Sequence, residues 1–362
     1  MLHAAAVSLW QERDRRFFAL FCFFLLLFGA KKCIMKGIVL RWRTHVMRAA
    51  PKTRIPQEGM VKTMRLGTST NLYAYERGSD RELPFAEQVR ACAAAGFTVL
   101  DLDLFESAHN HMMPDDLNCP EWEAKIDELG ELAAQLGVSF SQAHAPFCSS
   151  LFLAGKQPDA DYVAQFHELM RRAVLAAGKL GIRWVTVHPM TDTVNAEYDL
   201  DVNRRTNLDF YAPYVELADK AGTGIAVENM ANFNPAVRRN YCASPEELID
   251  LVDSFAAPNV GICWDFGHAR MMMSNQPRQL RKLGARLKAT HVQDNTGDRD
   301  SHLIPMVGGN VRWEEIMPVL REIGYTGDFM LEAHSYMRQV PRELWVPAGK
   351  LAYDFGMYLM NL

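Results

Sequence analysis

Six short β-rich runs between residues 138 and 332 end in a side chain able to bind a proton or a metal. They are His144 in Gln-Ala-His-Ala-Pro, His188 in Thr-Val-His-Pro, Glu228 in Ala-Val-Glu-Asn, Asp265 in Cys-Trp-Asp-Phe-Gly-His, His291 in Ala-Thr-His-Val-Gln-Asp and Glu332 in Met-Leu-Glu-Ala-His. A lone histidine in such a place is ordinarily a hydrogen-bonded structural residue. A carboxylate after an apolar run such as Val260-Gly261-Ile262-Cys263 is different, because burying it unpaired is expensive. Few Lys or Arg stand at these ends to neutralise it. A metal ion does so directly: carboxylates joined by an imidazole make a hard, mostly oxygen site suited to Mn²⁺, Mg²⁺ or Co²⁺, with Zn²⁺ also accommodated. Cys263, two residues before Asp265 and so on the same face but deeper, reads as core packing.

The elements that must carry these residues follow one grammar. A helical stretch ends in an apolar residue plus glycine, and a β-rich run begins at once, as in Ala95-Gly96-Phe97-Thr98-Val99, Leu136-Gly137-Val138-Ser139-Phe140 and Leu180-Gly181-Ile182-Arg183-Trp184; Ala221-Gly222, Leu283-Gly284 and Ile323-Gly324 repeat the junction. Glycine fits the left-handed position that ends a helix. Strands are predicted at 65–69, 97–103, 138–144, 183–188, 224–228, 259–265, 287–292 and 327–332. Between them, Val163, Phe166, Met170, Val174 and Ala177 step by three or four, as do Ile126, Leu129, Ala133 and Leu136, the spacing of an amphipathic helix. Eight β/α units over about 300 residues predict a (β/α)8 TIM barrel, whose active site lies where the strands end. An open doubly wound sheet is the alternative, but no GxGxxG follows the first strand.

The 362 residues are 49% hydrophobic and 23% charged, the composition of a globular protein, and the seven cysteines show no paired CxxC spacing. The formal net charge of −4 conceals a division: residues 1–63 hold 12 Lys and Arg against 3 Asp and Glu, a net +9, and the other 299 hold 27 against 40, a net −13. A body that acidic repels a phosphate backbone, so nucleic acid is not an expected partner. Phe17 to Ala30 is an apolar run behind Arg13, Arg15 and Arg16, similar to a signal segment but short of the roughly 20 residues a bilayer span needs. The domain reading is therefore a leading extension over 1–63, unstructured or signal- and anchor-like, with translation from Met60 or Met64 as a further possibility, and a catalytic barrel over 64–362. Cytoplasmic placement is expected, with membrane contact only if the leading segment is retained.

The segments Val227-Glu228-Asn229-Met230, Trp264-Asp265-Phe266-Gly267-His268, His291-Val292-Gln293-Asp294 and Leu331-Glu332 resemble the metal motifs of the xylose isomerase-like barrels, the sugar phosphate isomerase/epimerase superfamily. Val307-Gly308-Gly309-Asn310-Val311-Arg312-Trp313, then a helix and Gly324-Tyr325-Thr326-Gly327, is similar to that family's approach to its last strand. The resemblance runs from Arg65 to about His334. It implies that Glu228, Asp265, His291 and Glu332 hold one divalent ion, Mn²⁺ foremost. It also implies that Glu228 and Glu332 pass a proton through an enediolate, and that His144, His188, His268 and His302 contact substrate. The expected substrate is a sugar, sugar phosphate or related polyol, and homo-oligomerisation is left open. The superfamily also holds apurinic-site endonucleases, whose multi-metal sites use histidines where His144, His188 and His268 stand and an Asp-x-His like Asp300-Ser301-His302, as well as inosose dehydratase-like lyases. A barrel that binds a sugar without turning it over is the non-enzymatic alternative. His109 and His111 read as a solvated loop, Tyr73 and Tyr75 as packing or substrate cover, and Arg312 as paired with Glu314 or Glu315.

Overall fold

The computed structural model of the protein describes residues 64–108, 115–147, 159–192, 197–233 and 239–362. The leading extension, the apolar run from Phe17 to Ala30, and His109 and His111 lie outside the described residues. Eight parallel strands alternate with helices: β1 Arg65–Ser69, α1 Phe85–Ala94, β2 Val99–Asp103, α2 Trp122–Leu136, β3 Ser139–His144, α3 Ala160–Lys179, β4 Trp184–Val187, α4 Leu200–Ala221, β5 Gly224–Glu228, α5 Pro245–Ser254, β6 Val260–Asp265, α6 Phe266–Met271, α7 Gln276–Leu283, β7 Leu287–His291, α8 Trp313–Glu322, β8 Asp328–Leu331, α9 His334–Met337 and α10 Trp345–Met360. The strand order is β7-β6-β5-β4-β3-β2-β1-β8. The circle closes just past β7, where Val292 bridges Leu331 in parallel, its N–H donating to Met330 at 2.8 Å and its carbonyl accepting from Glu332 at 2.9 Å. This is the (β/α)8 barrel, and every predicted strand is present with its ends moved by at most two residues.

Local chemistry explains the turns between layers. At Gly137 and Gly222 the backbone takes φ values of 70° and 76°, which a side chain would strain, and the strand follows within two residues. Gly284 behaves differently: a short 3₁₀ turn, Gly284–Arg286, intervenes before β7. The apolar stripe of α3 buries Phe166, Met170, Val174 and Ala177 against the barrel. On α2, Ile126, Leu129 and Ala133 are buried. Leu136, expected on the same stripe, is 37% exposed. Inside the barrel the small residues Ala226, Cys263 and Ala289 form a cluster packed against Trp184. The Trp184 ring lies where a Cβ on Gly224 would sit, 2.4 Å away, so Gly224 makes room for the indole. Cys263 is thus core packing beneath the strand ends, as its position in sequence suggested.

Two register shifts bear on the site. Between β2 and β3 the pairing passes from Leu100 with Phe140 to Asp101 with Gln142, leaving Ser141 as the extra residue. Between β6 and β7 it passes from Ile262 with Leu287 to Cys263 with Ala289, after which Asp265 stands opposite His291. Bulges of this kind re-aim the side chains beyond them. Among the described residues no helix is long and apolar enough to cross a membrane.

Candidate active site

Each motif residue has a distinct local task. Asp265 ends β6 and caps α6: its Oδ1 accepts from the His268 N–H at 2.6 Å, which bends the chain so that His268 returns to the barrel mouth. Asn229 fastens β5 to β6 by accepting from the Asp265 N–H at 2.7 Å and donating to the Asp265 carbonyl at 2.9 Å. Gly267 is required because a Cβ there would lie 2.1 Å from the Gln293 amide carbon. Gln293 in turn donates to Asp300. The Val-Gly-Gly-Asn-Val-Arg-Trp segment is held by the buried Asp294 carboxylate, which accepts from the N–H groups of Asn295, Met306 and Val311 and from the Trp313 indole, at 2.9 to 3.0 Å. A Cβ on Gly309 would fall 2.0 Å from Asp294 Oδ1, so this glycine is where the loop passes over the carboxylate.

The six strand-end residues converge. Glu228 is the hub: its Oε1 is 3.1 Å from His291 Nδ1 and 3.5 Å from His268 Nδ1, and its Oε2 is 3.1 Å from His188 Nε2 and 3.5 Å from His144 Nε2. His291 Nδ1 also lies 3.4 Å from Glu332 Oε2. One ligand atom from each of Glu228, Asp265, His291 and Glu332 falls within 4.8 Å of the others, and the same spacing unites His144, His188 and Glu228. Asp300 stands between His268 and His302, its Oδ2 being 3.3 Å and 2.9 Å from their Nε2 atoms. His302 holds a left-handed backbone, φ 42°, while its Nδ1 meets the Glu332 carbonyl oxygen at 3.0 Å. A non-glycine residue kept in that region against its preference is a common feature of functional sites.

The electrostatics favour a cation. Burial raises the Asp265 carboxyl, His268 partly offsets this, and Glu228, Asp300 and Glu332 push the same way as burial, leaving it at about 7. For Glu228, burial also opposes ionisation, but the His291 and His188 rings and hydrogen bonds from His144 and His188 outweigh it and hold the carboxyl well below its ordinary range. Asp265 Oδ2 is buried and accepts no hydrogen bond. A buried carboxylate oxygen left bare in this way is costly, and with two glutamates and an imidazole beside it the donor set suits a hard divalent ion.

Above this cage opens a cavity of about 460 Å³, within the size range of small-molecule sites. Its apolar wall includes Leu72, Tyr75, Phe105, Phe147, Met190 and Phe233. Glu228, Glu332, His144, His188, His268 and His302 face it; Asp265 and His291 do not. Sequence reasoning did not single out Asp101, Asp103 or Arg338. Asp103 lines the cavity, and Arg338 is its one Lys or Arg among the described residues. The alternation Asp101, Leu102, Asp103 on β2 was the available signal for the two aspartates. His334 reaches the cavity wall, and Tyr75 lines it, whereas Tyr73 is buried with its hydroxyl donating to the Trp345 carbonyl at 3.1 Å. Arg312 pairs with Glu315 at 3.0 Å, outside the cavity.

Residues 89–351 match the family model described as the xylose isomerase-like TIM barrel. The chain belongs to that family. This family member is similar to an uncharacterized protein of Methanocaldococcus jannaschii, MJ1311, with 31% identity over 171 residues, 46% of this chain and 55% of that one, so the match spans little more than half of the archaeal protein. It is also similar to a D-psicose 3-epimerase of Enterocloster bolteae, 33% identical over 87 residues, covering 24% of this chain and 27% of the epimerase. Among solved structures, a D-tagatose 3-epimerase-like protein superposes with a TM-score of 0.62 at 24% identity, covering 82% of this chain and 98% of its own.

Proposed function

We propose that this barrel is a metal-dependent isomerase or epimerase that moves a proton at a carbon beside the carbonyl of a sugar or related polyol. The observation that carries the reading is the division of labour within the four-residue cage: Glu228 and Glu332 face the cavity while Asp265 and His291 stand behind them. Asp265, His291 and the two glutamates are the residues that hold the ion, Mn²⁺ being the leading candidate. A divalent ion bound there stabilises negative charge developing on a carbonyl oxygen. The two glutamates come from β5 and from the end of β8, so each can present a carboxylate to the same carbon, one to remove the proton and the other to return it. His144, His188, His268 and His302 line the same cavity and supply hydrogen bonds to hydroxyl groups, and the apolar wall covers the sugar's C–H surface. The similarity to a D-psicose 3-epimerase over a quarter of the chain supports the same chemistry.

The test is proton exchange. Incubated in heavy water with a panel of ketoses, aldoses and inososes, the Mn²⁺-loaded protein should place deuterium at the carbon next to the carbonyl of its substrate. Glu228→Gln and Glu332→Gln should each lower turnover by roughly 10²-fold, the usual contribution of a lost general base, with exchange of one epimer or isomer surviving in one variant. A second reading, a multi-metal phosphodiesterase, is favoured by one specific feature: His144 and His188 both converge on Glu228 Oε2, giving a second three-residue group beside the first. Counting metal atoms per chain separates the two, one for the sugar enzyme and two or three for the phosphodiesterase. Absence of exchange across the panel, together with metal-dependent cleavage of an abasic-site duplex, would overturn the isomerase reading.

A further inference from the structure

We infer that Asp101 is the positioning residue of the metal cage, fixing which nitrogen of His291 faces the ion; the inference rests on His291 being a metal ligand. Asp101 lies in the middle of β2 between Leu100 and Leu102, fully buried, where a carboxylate is costly unless a neighbour needs it. Its Oδ2 is 3.4 Å from His291 Nε2, reached across the barrel interior from β7. The same oxygen accepts from Gln142 Nε2 at 3.0 Å. The extra residue Ser141 in β3 is what sets Gln142 opposite Asp101.

The consequence concerns the tautomer of His291. Its Nδ1 is the nitrogen that faces Glu228 Oε1 at 3.1 Å and Glu332 Oε2 at 3.4 Å. Left to those two carboxylates, the neutral ring would carry its proton on Nδ1 and donate it to a glutamate, which closes the ligand lone pair. Asp101 on the opposite side draws the proton to Nε2 and so leaves the Nδ1 lone pair aimed into the cage. An outer carboxylate that orients a ligating imidazole also raises its donor strength, and losing one typically weakens metal affinity by about 10- to 100-fold. Gln142 holds Asp101 in place through its amide, which also meets the backbone carbonyl of Thr290 at 3.4 Å, one residue before His291.

Asp101→Asn keeps the size and the acceptor oxygen while removing the charge. Titrated with Mn²⁺ by calorimetry, it should bind about 10- to 100-fold more weakly than wild type. Unchanged Mn²⁺ affinity, with or without a loss of metal-free stability, would overturn the inference and leave Asp101 a purely structural residue. If the variant does not fold, histidine-labelled ¹⁵N spectra of Zn²⁺-loaded wild type decide the matter: His291 should carry its proton on Nε2, and a proton on Nδ1 overturns the assignment. Failure of wild type to bind any divalent ion removes the cage itself, an outcome distinct from normal wild-type binding that Asp101→Asn leaves untouched.

Discussion

At the residue scale the site is a crowd of acids in a dry place, moderated by imidazoles. Asp265 shows the tension best, since one oxygen caps a helix and the other has no hydrogen-bond partner. Its folded value of about 7 lies above the 3.8 of a free side chain, so the native state holds this proton more tightly than the unfolded chain. The sign follows from linkage: the stabilisation from this group is complete below the unfolded value and is lost as pH rises through about 7. The metal-free protein should therefore melt at falling temperature across that window, and Asp265→Asn should flatten that part of the profile. On the proposed metal-binding reading, a divalent ion would take the ionised carboxylate and stabilise by binding only the folded state. The gain in melting temperature on adding saturating Mn²⁺ should then be larger at pH 8 than at pH 6. An equal gain at both, measured by calorimetry, would remove Asp265 from the ligand set.

At the element scale, loops do as much as strands. The stretch from Asp294 to Trp313 leaves β7, carries Asp300 and His302 to the cavity, and returns to start α8. Within it the Asp294 carboxylate receives four donors, and Asp294 and Leu303 exchange backbone hydrogen bonds at 3.0 Å. Removing the acceptor leaves buried N–H groups unsatisfied, at about 1–3 kcal/mol each. Asp294→Ala should cost more than about 3 kcal/mol in urea unfolding, and turnover in the proposed reaction should fall with it. Stability within 1 kcal/mol of wild type would show that the loop is held by other contacts. The Gly-Gly-Asn-Val-Arg-Trp motif thus contributes architecture: Gly309 passes over Asp294, Trp313 donates to it, and Arg312 points away to Glu315.

At the scale of the whole molecule, Lys62–Leu362 is one compact unit, with β1 paired to both β2 and β8. Losing β1 would open the barrel, which among the described residues closes from β1 to β8. A chain beginning at Met64 should fold, unfold cooperatively in urea, and bind Mn²⁺ as tightly as the full-length protein. A non-cooperative transition would place the start of the barrel domain earlier. The net −13 of residues 64–362 belongs to this same body and opposes association with duplex DNA at physiological salt, in keeping with a small-molecule substrate.

The repeating unit and the ends of six strands were legible before folding. Helix termination at glycine and period-two alternation are local properties, expressed within a few residues, so His144, His188, Glu228, Asp265, His291 and Glu332 could be placed on a rim before any distance was known. Which of them face the cavity and which stand behind emerged only with the fold. The bulges at Ser141 and Lys288 precede His144 and His291 on their strands, and a linear pattern does not display them. The fold also decided the partner of Asp101. The alternation of Asp101 and Asp103 with leucine in β2 marks one face of the strand, but the meaning of Asp101 comes from His291, 190 positions away in sequence and 3.4 Å away in space. Closure of the barrel through Val292 and Leu331 brings such residues together, because it converts separation along the chain into contact across the barrel.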